Sequence, residues 1–275
     1  MLKKNGVILD PVERKREIQS TLDKLAKAHQ GRLYEDPFLM SEVNFLVERP
    51  EGLAAPFHEE FLKLPLEVLT VSMARKQRIF GLVDKGGQVR PRFLAIMDGA
   101  AGAAEKKMIS QNYENILHAK LQDSLFFYRE DLKTPLEKKR DELKNLIFLK
   151  GAGSMLAKSQ RLFDLASELR KESLLPASDQ SALEKACLLG KADLRTWMVG
   201  EFPELQGGIG RYYALENGEP EAVCLAIGEQ YLPRTVHDRL PKTQPGSYLS
   251  ILDKLDLICA CFGLNMEPTS SLDPY

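Results

Sequence analysis

The spacing of apolar residues changes its period once along this chain, near residue 100, and that change limits the fold more than any other feature. Residues 43 to 98 carry short β-rich runs, VNFLVE, LEVLTVSM, RIFGLVD and RFLAIMD, the last two joined by KGGQVRP, which reads as a hairpin connection. From about 103 onward nearly every segment repeats at helical spacing. Leu117, Leu121 and Leu125 share one face ahead of FFYRED, and Pro135 opens LEKKRDELKNLIFL, which stops at Lys150 and Gly151. Further helices are expected over 155 to 172, 179 to 200, 219 to 231 and 247 to 263, punctuated by Pro176, Pro203, Pro233, Pro241 and Pro245. Ahead of the β runs, PVERKREIQSTLDKLAKAHQ sets Ile18, Leu22 and Leu25 behind Pro11, an amphipathic helix with Gly31 as its stop. The expected fold class is α+β: a mixed helix and strand region over 1–150, then an all-helical region over 151–275, divided at KGAGS.

A length of 275 residues suits two ordinary domains, and 44% hydrophobic with 28% charged residues are the proportions of a folded chain. No apolar run reaches the roughly 18 residues needed to span a bilayer, and MLKKNG leads into no signal-peptide core. A cytoplasmic location without a membrane partner is expected. The net charge of −1 does not announce a nucleic-acid binder. Its distribution says more: residues 1 to 100 carry 16 Lys and Arg against 14 Asp and Glu, residues 101 to 172 carry 14 against 11, and residues 173 to 275 carry 8 against 14. A polyanion would meet the first two thirds, and the acidic last third suits a protein. Cys187, Cys224, Cys259 and Cys261 form no CxxC pair and are expected as buried, reduced thiols.

Four stretches invite a functional reading. EFPELQGGIGRYYA holds Gly207, Gly208 and Gly210, but it lacks the third glycine and the preceding strand of a dinucleotide-binding turn, so a tight joint between helices is expected. The doublet His237-Asp238 suggests a metal-dependent phosphohydrolase of the HD type, yet it lies between Pro233 and Pro241 and the chain has only three other histidines. Asp193, Asp253 and Asp256 sit on otherwise apolar helices, where a carboxylate is costly unless it is paired or bound to metal. They form either a metal or acid site between helices, or they pair with Lys191, Lys254 or Arg195 or cap a neighbouring helix. Aromatic and basic residues mix at FFYRED and around Lys158 and Arg161, as a nucleic-acid surface or as core.

Taken in order, ADLRTWMVGEFPELQGGIGRYYA, AIGEQYLPR, DRLP, ILDKLD and PTSSLDPY resemble the β subunit of bacterial heterotetrameric glycyl-tRNA synthetase. Upstream, FLVERP, HEEFLKLPLEVLTVSMARKQRIF, RFLAIMD and KLQDSLFFYREDLKTPLE extend the resemblance over residues 36 to 275. QNYENIL, where the family has a Gly-Asn-Glu phrase, and Ala152-Gly153-Ser154, where it has Leu-Gly-Thr, depart from it.

The resemblance implies a fragment of a ligase subunit, inactive alone. Adenylate formation, with ATP and Mg, would belong to the catalytic α subunit of an α2β2 tetramer, while the β subunit binds tRNA(Gly). No cofactor, metal or DNA is expected on this chain. Residues 151–275 would be an HD-type helical domain lacking its metal site, because Ala192 precedes Asp193 where a His-Asp pair belongs; Asp193 and Asp253 would remain as structural acids. Lys120, Lys158 and Arg161 are the candidate tRNA contacts. The rival expectations are a working HD-type phosphohydrolase using Asp193, Asp253 and His237, and a helical interaction module outside translation.

Overall fold

The computed structural model describes residues 6–266, so the PTSSLDPY phrase lies outside the described residues. The chain forms two compact units, Met1–Tyr128 and Arg129–Tyr275. Together they give the α+β class expected from the change of period.

In the first unit Asp10 caps helix α1 (Pro11–Ala28) by accepting from the Val12 amide at 2.8 Å, with Pro11 in the first turn. Arg14, Ile18, Leu22 and Ala26, four residues apart, form its buried stripe. Four strands, β1 (Arg32–Leu33), β2 (Pro50–Pro56), β3 (Phe80–Val83) and β4 (Val89–Asp98), make an antiparallel sheet in the order β1-β3-β4-β2. Leu94 faces Ala54 on one side and Phe80 on the other. Helix α1 lies close over β2 because Gly52 has no side chain: a Cβ there would stand 2.6 Å from both Thr21 and Leu25. Ile18, Leu22, Leu39, Val43, Phe80, Leu82 and Leu94 make the core.

Two of the four expected strands are helical. VNFLVE contributes to α2 (Pro37–Leu46) and LEVLTVSM lies in α3 (Leu66–Gln77). Helix α3 buries Val68, Leu69, Thr70, Ser72, Met73 and Ala74, and an apolar run buried on most sides reads alike in either conformation. In their place the proline-bounded PEGLAAP forms β2, at the end of the sheet order, where proline is tolerated.

Helix α4 (Ala103–Leu132) buries Leu117, Leu121 and Leu125 as their spacing predicts. The division between the units falls inside it, ahead of the expected boundary at 150. The reason is packing: α5 (Leu136–Glu142) and the hairpin of β5 (Ile147–Leu149) and β6 (Gly153–Ser154) lie with the elements that follow them. That hairpin also corrects the all-helical expectation for the second region, since β6 falls within it.

The rest of the second unit is α6 (Met155–Lys171), α7 (Ala177–Leu189), α8 (Trp197–Glu201), α9 (Gly208–Glu216), α10 (Glu221–Glu229) and α11 (Gln244–Gly263), with short 3-10 turns at Ala192–Arg195 and Pro203–Leu205. The expected helix over 179 to 200 is interrupted, because Thr196 caps α8 by accepting from the Val199 amide. Among the described residues no helix is long and apolar enough to cross a membrane.

Candidate functional site

The centre of the second unit is charged. Helix α6 presents Lys158 and Arg161, three residues apart, and α11 presents Asp253 and Asp256 at the same spacing, so two like-charged doublets face each other. Lys158 Nζ lies 3.1 Å from Asp253 Oδ1 and 3.0 Å from Asp256 Oδ2, and donates to the Asp253 carbonyl at 3.1 Å. Arg161 grips Asp256 with Nε at 2.6 Å and Nη2 at 3.1 Å, a two-point contact, and its Nη1 donates to the Ala152 carbonyl. Burial pushes the Asp256 carboxyl up, but the hydrogen bonds and charges of Arg161 and Lys158 outweigh it and hold the group below its ordinary range.

Lys191 follows α7 and brings a second ammonium to Asp253, 3.0 Å from Oδ1 and 4.0 Å above the centre of the Tyr231 ring. Burial draws Lys191 below the ordinary lysine range, against the pull of Asp253. Two residues on, Asp193 is buried in the 3-10 turn, where its Oδ2 accepts from the Gly207 amide at 2.6 Å. Burial raises its carboxyl to about 6, although the Gly207 amide and Lys191 oppose the shift.

The glycines of the opening of α9 make this arrangement fit. Gly207 has φ +76, and a Cβ there would stand 3.0 Å from Tyr231. At Gly210 a Cβ would stand 3.0 Å from Asp193 Oδ2 and 3.1 Å from Ile227. Gly208 has open space around it, so of the three expected joint residues Gly207 and Gly210 carry the close approach.

The expected tRNA-contact residues are thereby separated. Lys158 is 3% exposed and its charge is matched internally, which removes it from any phosphate-facing surface; its local neighbours in AGSMLAKSQR gave no sign that α11 would cover it. Arg161 is partly exposed but committed to Asp256. Lys120 is half-buried on α4, in the first unit. His237 is exposed in its loop, and Asp238 serves that loop by accepting from the Arg234 and Arg239 amides. Cys187 and Cys224 are buried as expected, whereas Cys259 is exposed on the outer face of α11.

One buried acid carried no signal in the sequence reading. Asp131, at the end of α4, is fully enclosed and accepts from Tyr213 Oη at 2.9 Å, from the Trp197 and Met198 amides at 2.9 and 3.0 Å, and from Lys139 Nζ at 3.3 Å. It joins FFYRED to GRYYA across 82 residues. A carboxylate on the amides that open α8 also meets the positive end of that helix.

Chemically, the cluster pairs acids with ammonium and guanidinium groups. Among the described residues no group of three or more His, Cys, Asp or Glu is placed to hold a metal ion. A cleft of about 420 Å³ borders it, lined by Gln206, Tyr231, Arg234, Asp253 and Lys254 among others. In the first unit a cleft of about 560 Å³ is lined by Phe57, His58, Glu59, Gln111, Glu114 and His118, with no lysine or arginine.

Comparison with known proteins covers the whole chain. A family model described as glycyl-tRNA synthetase beta subunit matches residues 1–275, so α1 falls within the match, ahead of the start expected at residue 36. The chain is 42% identical over 275 residues to the glycine--tRNA ligase beta subunit of Moorella thermoacetica, covering 100% of this chain and 39% of that protein. It is 41% identical over 269 residues to the corresponding protein of Desulforamulus reducens, covering 98% and 38%, and 40% identical over 269 residues to that of Stutzerimonas stutzeri, covering 98% and 39%. The chain thus spans about two fifths of the length of the curated relatives it matches.

Proposed function

The chain belongs to the glycyl-tRNA synthetase beta subunit family, and from that premise we propose that it is an architectural, non-catalytic portion of such a subunit. In this reading it helps to position tRNA(Gly) and to assemble the ligase with its catalytic alpha subunit in an α2β2 tetramer in the cytoplasm. Glycine activation with ATP and Mg belongs to the alpha subunit, and DNA is not a partner. The gain in rate comes from holding the tRNA acceptor end where the chemistry occurs.

The observation that carries this reading is the use made of charge in the second unit. Lys158, Lys191, Asp253 and Asp256 face one another at about salt-bridge distance, and Asp193 holds the Gly207 amide. Groups arranged so fix helices together; an acid or base that must exchange protons with a substrate needs an open face. The same observation supports an HD-type domain without its metal: Ala192 precedes Asp193, and ammonium groups neutralise the carboxylates as a cation would. Of the three candidate tRNA contacts, Lys120 remains the one that lies outside the charged cluster, half-buried on α4.

Aminoacylation and tRNA binding by purified alpha subunit with the complete beta subunit carrying Lys120→Glu test the tRNA-facing role. Removing and reversing one phosphate contact weakens tRNA binding by about threefold to tenfold, most strongly at low salt. Unchanged binding at low salt would remove Lys120 from the interface. Metal analysis of the same purified protein tests the metal-free reading, and stoichiometric manganese, iron or zinc would overturn it in favour of a phosphohydrolase.

A further inference from the structure

The outer face of α11 is apolar where an exposed helix face is ordinarily charged. Ile251, Leu255, Ile258 and Phe262 recur at intervals of four, three and four residues, which sets them in one row, and they are 53%, 48%, 50% and 78% exposed. Met266, past the helix end, is exposed as well. The segment LICACFGLNM, residues 257 to 266, has no charged side chain. The opposite face of the same helix is already used: Leu249, Leu252 and Asp256 are buried, and α11 packs on α6, α7 and α10.

We propose that this row is the docking surface for an amphipathic helix supplied by the part of the beta subunit that lies outside these 275 residues. The inference rests on the reading of the chain as a portion of that longer subunit. Relatives carry about three fifths of their length outside the match, which covers 39% of the Moorella thermoacetica protein. Spacing of four and three is the seam of helix against helix, so the occupant is a helix and not a loop. The row itself bears no Lys or Arg for a polyanion, and tRNA has nothing to hold there. Permanent interfaces resemble a core cut in half, as this face does, whereas separable partners meet through more polar surfaces.

Cys259 lies on the same face, four residues after Leu255 and three before Phe262, and it is exposed. It therefore reports on cover without any substitution.

Photo-crosslinking in the complete beta subunit, with p-benzoylphenylalanine in place of Leu255, reads the occupant. The expected product migrates as a single beta chain, and its cross-linked peptide maps outside the 275 residues. A cross-link to the alpha subunit, to a second beta chain, or to a segment within the 275 residues would overturn the proposal. Because that replacement disturbs the face, alkylation of Cys259 in the unaltered beta subunit gives a second reading, resolved by peptide mass spectrometry. The native thiol is expected to react at least about tenfold more slowly than in the urea-unfolded chain, since it reacts only when the cover opens. Reaction at the unfolded rate in the beta subunit alone would equally overturn it. The expected cross-link, found in a protein whose Lys120→Glu variant binds tRNA normally, would leave this docking intact and refute only the tRNA contact.

Discussion

In the first unit α1 lays Ile18, Leu22 and Ala26 over a sheet that offers Leu33, Phe80, Leu82 and Leu94, and its one buried cation among the described residues, Arg14, is satisfied by the carbonyls of Ile8 and Asn44. The second unit buries Asp131, Lys139, Lys158, Lys191, Asp193 and Asp256 among its helices. Apolar packing tolerates exchange of one side chain for another of like volume. A buried charge does not, because removal of one partner strands the other in a medium that solvates it poorly. The two units should therefore respond to substitution by different rules, although a single helix runs from one into the other.

The sharpest break of that contrast is Asp131→Ala. Four donors lose their acceptor and Lys139 is left buried without a counter-charge. A loss of about 3–5 kcal/mol is expected in urea unfolding, with early hydrogen exchange at Trp197 and Met198. The next comparison sets two exchanges side by side. Lys191→Met should cost about 2–3 kcal/mol by taking from Asp253 one of its two ammonium partners and leaving Lys158 to serve both carboxylates, whereas Leu22→Met, of similar volume change, should cost less than about 1.5 kcal/mol. Equal costs in the two variants would abolish the distinction drawn here.

A smaller effect belongs to the joint. Gly207→Ala forces an L side chain to φ +76 against Tyr231 and should cost about 1–3 kcal/mol, while Gly208→Ala, in open space, should be close to neutral or slightly favourable. Thermal melting of the two variants separates them.

The least of the four effects is the most specific to buried charge. The Asp193 carboxyl titrates near 6 when folded against an ordinary value of 3.8, so between those values the folded chain holds the proton more tightly than the unfolded one. Its contribution to stability is then fully present below about pH 4 and is lost as the pH rises to 6. Relative to Asp193→Asn, the natural protein should lose roughly 1–2 kcal/mol between pH 4 and 6. A flat difference across that range would mean that Asp193 is ionised throughout in the fold.

Much of this was legible in the sequence, and the remainder was hidden for physical reasons. Change of period gave the α+β class, and the row Leu117, Leu121, Leu125 gave the buried face of α4. LEVLTVSM reads as a strand because a run buried on most sides loses the period that distinguishes strand from helix. Lys158 reads as surface because its cover arrives from α11, 95 residues later. One signal was available: two doublets of opposite charge, Lys158 with Arg161 and Asp253 with Asp256, each three residues apart on one helix. Asp131 had no such partner pattern, since two of its donors are backbone amides and every residue has one.

The position of Asp131 also bears on where this chain can be cut. A piece beginning at residue 150, at the compositional boundary, would keep α6 to α11 yet lose the carboxylate that holds the first turn of α8 and the hydroxyl of Tyr213. It would lose Leu136 and Leu143 as well, both buried against the helices that remain. A gene fragment meant to yield the second unit by itself should therefore open within α4, ahead of Arg129, and carry the end of one unit's last helix as the seed of the next.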